Sequence, residues 1–253
     1  METERSSDRG QEDVVIEAID IHKHYDTGKV KALQGVTLRI HRKEVVAIMG
    51  PSGCGKTTLL NCLSGLDQVT QGTIRIANQD IRDLSDRQLT LFRAREMGFV
   101  FQTYNLLPVL TGLENVELPL LVSGVSSREA RARALASIEQ VGLLDWASHR
   151  PAEMSGGQRQ RFAIARALAT TPSIVWADEP TGALDSITSQ EIIDLMLTLN
   201  RELDLTFVWV THSLDIAHQA SRMITMADGL IREDTPVKTQ TSIGTFEERG
   251  AQR

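Results

Sequence analysis

The chain has 253 residues, enough to bury one sizeable core or two lobes that share it. It is 41% hydrophobic and 24% charged, as globular proteins are, and its net charge of −6 with both signs mixed excludes the basic footprint of a nucleic-acid-binding protein. No apolar run approaches the ~20 residues of a membrane helix, and the polar start Met1–Arg5 does not begin a signal peptide.

In chain order, residues 1–13 are polar, and we expect them to form a disordered tail. Residues 14–101 alternate strand-like runs with few helices; the runs are Val14–Ile21, Val36–Ile40, Glu44–Met49, Thr73–Ala77 and Met97–Phe101. The pattern turns helical from about 103 to 168. Strand–helix alternation then resumes from Ser173 to Ile231, which predicts a mainly parallel sheet. Residues 234–253 lack periodicity and predict a polar C-terminal tail.

A phosphate-binding loop follows the third strand-like run. Residues 50–57 fit the pattern Gly-x4-Gly-Lys-Thr, with an apolar strand before them and a helix predicted after them. We expect Lys56 to reach the β- and γ-phosphates of a nucleotide and the Thr57 hydroxyl to bind Mg²⁺. The predicted phosphate-site residues are Gly50, Pro51, Ser52, Gly53, Cys54, Gly55, Lys56, Thr57 and Thr58. Cys54 and Cys62, the chain's two cysteines, lie where no disulfide is wanted, so a reducing cytosol fits.

The helical region contains two predicted helix starts. Ser126 with Glu129 forms a capping-box pattern before an apolar face. Ser155, Gly156, Gly157 and Gln158 open a second helix, and Ser155 and Gln158 fit a capping box too. Because glycine disfavours a first turn, capping alone does not explain both glycines, whereas exposed N–H groups suit a phosphate. We interpret the stretch as a cap that also binds phosphate.

A later apolar run, residues 173–177, ends in two carboxylates, Asp178 and Glu179, followed by Pro180. A buried strand there delivers Asp178 to a metal shell and Glu179 to an attacking water. The alternative is that the acid caps the next helix, but two carboxylates followed by proline suit catalysis better.

Together these motifs resemble the ATP-binding cassettes, roughly from Val14 to Glu233. The resemblance implies ATP and Mg²⁺ as ligands, with Thr57, Gln102 and Asp178 around the metal. It also implies that Tyr25 stacks on adenine, that Gln102 contacts metal and transporter, and that His212 contacts the γ-phosphate beside the catalytic Glu179. Ordinary strand residues remain the alternative for each of Tyr25, Gln102 and His212.

In cassettes a second subunit completes each site. The resemblance therefore implies a head-to-tail dimer in which a second copy of the chain reads the ATP through its Ser155, Gly156, Gly157, Gln158 and Asp185. The segment Ala183–Asp185 matches the loop that crosses to the other subunit.

The segments 105–108 and 110–120, with Gly65–Asp67, are similar to the lipoprotein-releasing and macrolide-exporting branch of the family. Members of that branch are thought to transmit mechanical work to a permease with a large extracytoplasmic domain. Three positions depart from the usual cassette: Lys43 stands where glycine is common, Met154 replaces leucine, and Ser213 replaces aspartate.

We therefore expect an α/β phosphate-loop NTPase core, residues 14–233, with an antiparallel β subdomain and an inserted helical subdomain at about 103–168. Its function would be ATP hydrolysis that drives a permease on a separate chain, at the cytoplasmic face of the membrane and without nucleic acid. One alternative is a regulatory ATPase that pulls on a membrane partner without transport. A soluble cassette of DNA repair or translation is another, but such proteins usually carry coiled-coil insertions or tandem cassettes.

Overall fold

The computed structural model describes residues 13–237, so residues 1–12 and 238–253 lie outside the described range. The N-terminal tail prediction therefore falls outside it except at residue 13. The predicted C-terminal tail, 234–253, begins too early, because residues 234–236 pair in antiparallel register with residues 222–224. The remainder of that tail, from 238 onward, lies outside the described residues.

Two sheets form the framework. The first is antiparallel, with strand order β2-β1-β4-β5, and consists of β1 (Val14–Tyr25), β2 (Val30–His41), β4 (Gln71–Ile76) and β5 (Gln79–Asp80). The second has the order β10-β9-β3-β8-β7-β6 and consists of β3 (Val45–Met49), β6 (Met97–Phe101), β7 (Ile174–Asp178), β8 (Thr206–Val210), β9 (Arg222–Ala227) and β10 (Leu230–Pro236). Its pairs are parallel except β9 with β10, which agrees with the mainly parallel sheet predicted.

The helices are α1 (Lys56–Leu63), α2 (Asp86–Glu96), α3 (Gly112–Val122), α4 (Ser127–Gln140), α5 (Gly156–Leu168), α6 (Ser186–Leu203) and the short α7 (Leu214–Ala217). Short 3-10 segments occur at Asp26–Gly28, Ile81–Asp83, Leu144–Trp146 and Pro151–Glu153. Within residues 13–237, none of the helices combines the length and the apolar character needed to cross a bilayer.

The central strands are almost entirely apolar because both faces of their sheet are covered. Every residue of β3 and β8 is buried. Side chains of Ala47 and Trp209 belong to the core shared with α3–α6, and those of Ile48 and Val208 belong to the core shared with α1 and the antiparallel sheet. Continuous apolar runs are what two-sided burial requires of parallel strands.

Segment 103–168 holds α3, α4 and α5, which pack together through buried residues such as Val116, Ala134 and Phe162. The capping box predicted at Ser126 and Glu129 is only half formed. The Ser126 hydroxyl accepts the Glu129 N–H, whereas the Glu129 carboxylate pairs with Arg133 one turn along the helix.

Lys43, one of the departures from the cassette pattern, sits in the turn between β2 and β3 with φ of +66°. This left-handed conformation favours glycine and costs other residues roughly 1–2 kcal/mol. The Lys43 ammonium lies 2.9 Å from the Asp204 carboxylate, but both side chains are well exposed, and such pairs contribute only about 0–1 kcal/mol.

We therefore predict that Lys43→Gly leaves the free energy of unfolding unchanged or raises it by up to about 1 kcal/mol, because relief of strain outweighs the lost pair. Arg42→Gly is the matched control. Arg42 is exposed in the same turn without a positive φ, so added glycine flexibility should lower stability by roughly 0.5–1 kcal/mol. Urea denaturation of both variants measures the difference; an equal loss in both would contradict the account.

Candidate active site

The strand order brings four chain segments to one edge of the mixed sheet. Strands β3, β8, β7 and β6 are consecutive parallel neighbours, so their carboxyl ends lie side by side. The residues that follow them are the loop from Gly50, the Thr211–His212 pair, Glu179 and Gln102. Ligands of open α/β sheets bind outside the carboxyl ends of the strands, and the predicted phosphate and catalytic residues gather there.

The loop after β3 needs its glycines. Gly50 has φ of +149°, and a Cβ there would lie 2.2 Å from the carbonyl oxygen of Met226. Gly55 has φ of +105°, and a Cβ there would lie 2.5 Å from the carbonyl oxygen of Ala32. The backbone is therefore packed against two other strand ends in conformations that side chains disfavour.

Lys56 begins helix α1 and folds back over this loop. Its ammonium donates hydrogen bonds to the carbonyl oxygens of Gly50, at 2.8 Å, and Pro51, at 3.0 Å. The loop thus curls around a cation at a helix N-terminus, an arrangement that favours bound phosphate. Cys54, also predicted in this site, turns its side chain into the core, and the exposed Ser52 and half-buried Thr58 complete the loop and first turn.

Asp178 ends strand β7 opposite the loop, and the Thr57 hydroxyl donates to its carboxylate at 3.4 Å. Burial, and then the neighbouring Glu179 carboxylate, raise the pKa of Asp178 above its ordinary value, while Thr57 and Lys56 act in the opposite direction. A nearby cation would stabilise the ionised form of such a carboxyl group.

Glu179 and His212, predicted as the catalytic pair, lie together although they are 33 residues apart: the His212 Nδ1 atom is 2.9 Å from a Glu179 carboxylate oxygen. Glu179 has φ of +49°, a strained conformation for a residue with a side chain. Its N–H donates to the carbonyl oxygen of Val210 at 2.9 Å, which holds the turn against β8. The His212 side chain is 72% exposed and so faces open space.

Gln102 follows β6 and reaches across to the segment after Glu179. A Cβ on Gly182 would lie 2.6 Å from the Gln102 amide nitrogen, so this glycine leaves room for the glutamine side chain. The exposed Gln102 is therefore held beside the loop that leads to Asp185.

Tyr25, for which adenine stacking is predicted, is the last residue of β1. Its hydroxyl donates to the Asp67 carboxylate at 2.6 Å, and the Lys23 ammonium lies 4.8 Å from its ring centroid. The side chain stays partly exposed. The Thr58 side chain, in the first turn of α1, also hydrogen-bonds the phenol.

The predicted capping box at the start of α5 is fully formed. The Ser155 hydroxyl accepts the Gln158 N–H at 3.2 Å, and the Gln158 side chain accepts the Ser155 N–H at 2.8 Å. The other N–H groups of the first turn have no partner within the helix, and such groups at a helix N-terminus can bind an anion.

Packing supplies a second reason for the glycines of this turn, which sequence reasoning missed. A Cβ on Gly157 would lie 2.7 Å from the Thr188 methyl group, and one on Gly156 would lie 3.0 Å from a methyl of Leu184. Asp185 caps α6 by accepting N–H bonds from Ile187 and Thr188 at 3.1 and 3.0 Å. The start of α5 thus packs against Leu184 and the first turn of α6, here called the Asp185 loop. The phosphate loop packs instead against β2 and β9.

Gln160 is another residue that sequence reasoning missed. It is fully buried, and its amide nitrogen donates to the carbonyl oxygen of Pro180 at 2.5 Å, next to Glu179. Its position four residues before Ile164, on the buried face of α5, was the available signal, since a buried polar side chain needs a partner.

The donors near the phosphate loop fit Mg²⁺ bound together with a nucleotide. A hydroxyl from Thr57 and a carboxylate from Asp178 are hard oxygen ligands, and Mg²⁺ usually takes few protein ligands beside phosphates and water. Within the described range, no cluster of three His, Cys, Asp or Glu side chains is placed to hold a metal by itself.

Comparison with known proteins agrees with this geometry. A family model described as "ABC transporter" matches residues 33–182. An uncharacterized ABC transporter ATP-binding protein of Thermotoga maritima is 48% identical over 86% of this chain and 93% of its own length. The lipoprotein-releasing system ATP-binding protein LolD of Legionella pneumophila is 43% identical over 86% of this chain and 96% of its own length. The macrolide export ATP-binding/permease protein MacB of Rhodopirellula baltica is 45% identical over 90% of this chain but only 34% of its own length.

Among solved structures, the dimeric ABC transporter cassette MJ0796 has a TM-score of 0.80 and 44% identity, covering 88% of this chain and 99% of that one. The same protein is known as a dimer in a post-hydrolysis state bound to ADP and Pi. The family-model match spans the phosphate loop, the carboxyl ends of β3, β6 and β7, and the α5 start described above. The chain belongs to the ABC transporter family and is an ATP-binding, ATP-hydrolysing subunit of that family.

Proposed function

We propose that two copies of this chain bind two Mg-ATP molecules head to tail and drive a membrane permease carried on a separate chain. The observation that carries this proposal is a separation within the chain. The phosphate loop, Asp178, Glu179 and His212 share one edge of the sheet, whereas the capped start of α5 packs against the Asp185 loop. In a head-to-tail dimer a second copy would bring its own α5 start to the nucleotide.

In each composite site one copy holds the ATP. Lys56 exchanges the carbonyl oxygens of Gly50 and Pro51 for β- and γ-phosphate oxygens, and backbone N–H groups of residues 52–58 surround the phosphates. Tyr25 supplies a stacking surface for the adenine. Thr57, Asp178 and Gln102 would hold the Mg²⁺, which would supply charge neutralisation at the phosphates.

Hydrolysis uses the pair after β7 and β8. The Glu179 carboxylate orients and activates the attacking water, and its strained backbone fixes the direction of that carboxylate. His212 is within hydrogen-bond distance of Glu179 and is exposed enough to reach the γ-phosphate.

The other copy closes the site through the first turn of its α5. Ser155, Gly156, Gly157 and Gln158 offer N–H groups and side-chain donors to the γ-phosphate, while Asp185 lies in the loop that crosses the dimer interface. Because each copy contributes one half to each site, ATP draws the two copies together and hydrolysis releases them.

A permease would dock on the far side of the Gln102 segment. A groove of about 310 Å³ lies there, and its lining includes Leu66, Phe101, Asn105 and Arg166. Exposed apolar side chains continue beside it; they are Leu107, Val109, Leu118, Leu121 and Val122. An exposed apolar patch next to a groove is typical of a protein interaction surface. Such docking would hold the chain at the cytoplasmic face of the membrane.

The likeness to LolD and MacB supports a permease of the lipoprotein-releasing or macrolide-exporting kind. In such a system the ATPase cycle would transmit mechanical work to the extracytoplasmic part of the permease. MacB carries its permease on the same chain, as its name states, and this chain spans only 34% of its length.

We predict that Glu179→Gln slows ATP turnover about 10²–10⁴-fold, as expected for loss of a positioned base, with little change in ATP affinity. Steady-state ATPase rates and equilibrium ATP binding measure the two effects. Glu139→Gln, an exposed position on α4, is the matched control and should leave both unchanged. Near-normal hydrolysis by Glu179→Gln would remove Glu179 from the catalytic role.

Composite sites predict complementation between two defective chains. When a Lys56→Ala chain is assembled with a Ser155→Arg chain, one site carries both lesions and the other carries neither. We expect the mixed dimer, isolated through two different tags, to keep about half of the wild-type rate while each parent homodimer is inactive. A mixed dimer as inactive as its parents would mean that each site forms within one chain or that both sites must be intact.

The docking surface predicts opposite outcomes for two adjacent leucines. Leu107 is 45% exposed, whereas Leu106 packs against the core. Leu107→Asp should keep the melting temperature and lose the permease that co-purifies with the wild-type chain from detergent-solubilised membranes. Leu106→Asp should lower the melting temperature, because it places a charge against the apolar core at a cost of about 1–3 kcal/mol. Intact permease binding by Leu107→Asp would place the dock elsewhere.

A further inference from the structure

The turn Gly65–Asp67 follows helix α1 and takes no part in phosphate binding. Gly65 has φ of +67°, and the N–H groups of Leu66 and Asp67 both donate to the carbonyl oxygen of Asn61, at 2.8 and 3.0 Å. The turn is thus fastened to the last part of the helix that starts with Lys56. Asp67 is held in a fixed position relative to the phosphate loop.

The Asp67 carboxylate reaches from this turn to strand β1. One oxygen accepts the Tyr25 hydroxyl at 2.6 Å, and the other accepts the Lys23 ammonium at 2.6 Å and the Gln68 N–H at 2.8 Å. Burial by itself would raise the pKa of Asp67, but the bonds from Lys23 and Tyr25 outweigh it and hold the pKa below its ordinary value. The charged carboxylate is a strong acceptor for the phenol.

Lys23 covers one side of the Tyr25 ring. Its ammonium lies 4.8 Å from the ring centroid, is fixed by the carbonyl oxygen of Gln68 at 2.7 Å, and belongs to a side chain only 12% exposed. Tyr25 nevertheless remains 38% exposed. Because the ammonium lies over one face of the ring, a planar partner would stack on the opposite face.

We infer that Asp67 is a positioning residue for the nucleotide base: it fixes the Tyr25 ring, through the phenol hydroxyl and through Lys23, as a rigid platform on which the base stacks. This inference rests on the proposed function, in which Tyr25 holds the adenine. A ring fixed before binding loses less conformational freedom when the base stacks, so affinity rises without any direct contact between Asp67 and the nucleotide.

The test compares ATP with inorganic tripolyphosphate, which has phosphates but no base, both in the presence of Mg²⁺. Asp67→Ala and Tyr25→Phe should each weaken ATP binding about three- to ten-fold, because both remove the hydroxyl–carboxylate bond. Tripolyphosphate binding should not change. The double variant should be no worse than Asp67→Ala, since both substitutions remove the same interaction. In turnover, KM for ATP should rise while kcat is kept.

Three outcomes separate the possibilities. Equal weakening of ATP and tripolyphosphate by Asp67→Ala would mean that Asp67 supports the phosphate loop, and would overturn the inference. Unchanged ATP affinity in both single variants would overturn it too. If Tyr25→Ala itself fails to weaken ATP binding by about ten-fold, the stacking role in the proposed function is wrong.

Asp80→Ala is the matched control. Asp80 lies in the same antiparallel lobe and also binds a cation, Arg82, which together with the Arg82 N–H keeps the pKa of this half-buried carboxyl low. It should leave the affinities for ATP and tripolyphosphate unchanged. If Asp67→Ala folds poorly, Tyr25→Phe, which keeps the Lys23–Asp67 pair, decides the question alone.

Discussion

The parallel pairing of β3, β8, β7 and β6 is the constraint on which the rest of the site depends. It carries Gly50, His212, Glu179 and Gln102 to one edge of the sheet although they are far apart in sequence. The pairing is stable because both faces of these strands are buried, one against the helices and the other against the antiparallel sheet. Burial of the central strands therefore fixes the positions of the site residues at the carboxyl edge of the sheet.

A second set of contacts links the start of α5 to the segment around the catalytic Glu179. Gln160, on the helix that starts with the phosphate-binding turn, bonds to the carbonyl oxygen of Pro180, next to the catalytic Glu179. Gly156 packs against Leu184 in the following loop. Under the proposed function the α5 start serves the partner's ATP and Glu179 serves the chain's own ATP. The two sites of a dimer would then be mechanically connected through each copy.

The sequence predicted the residues whose chemistry is local, and it missed those whose role depends on packing. Lys56, Thr57 and Glu179 could be predicted from spacing, because a Gly-x4-Gly-Lys-Thr loop and two carboxylates followed by proline suit phosphate binding and catalysis better than the alternatives. The role of Asp67 could not, since its partner Tyr25 is 42 residues away and no pattern reports that approach. Helix α2 was missed for a related reason: it buries no residue fully, although its Ser85–Gln88 capping box was visible. At Lys43 the sequence did show a departure from the usual glycine. The energetic consequence, a strained backbone, could be inferred only from the positive φ angle in the structure.

The central claim is that one chain holds half of each site. The most direct measurement is the molar mass of the wild-type chain in solution by light scattering, with Mg²⁺ and a non-hydrolysable ATP analogue, and again with ADP. The account predicts a mass near 28.0 kDa with ADP and twice that with the analogue, because only a γ-phosphate contacts the second copy's α5 start. A chain that stays monomeric at saturating analogue would contradict it.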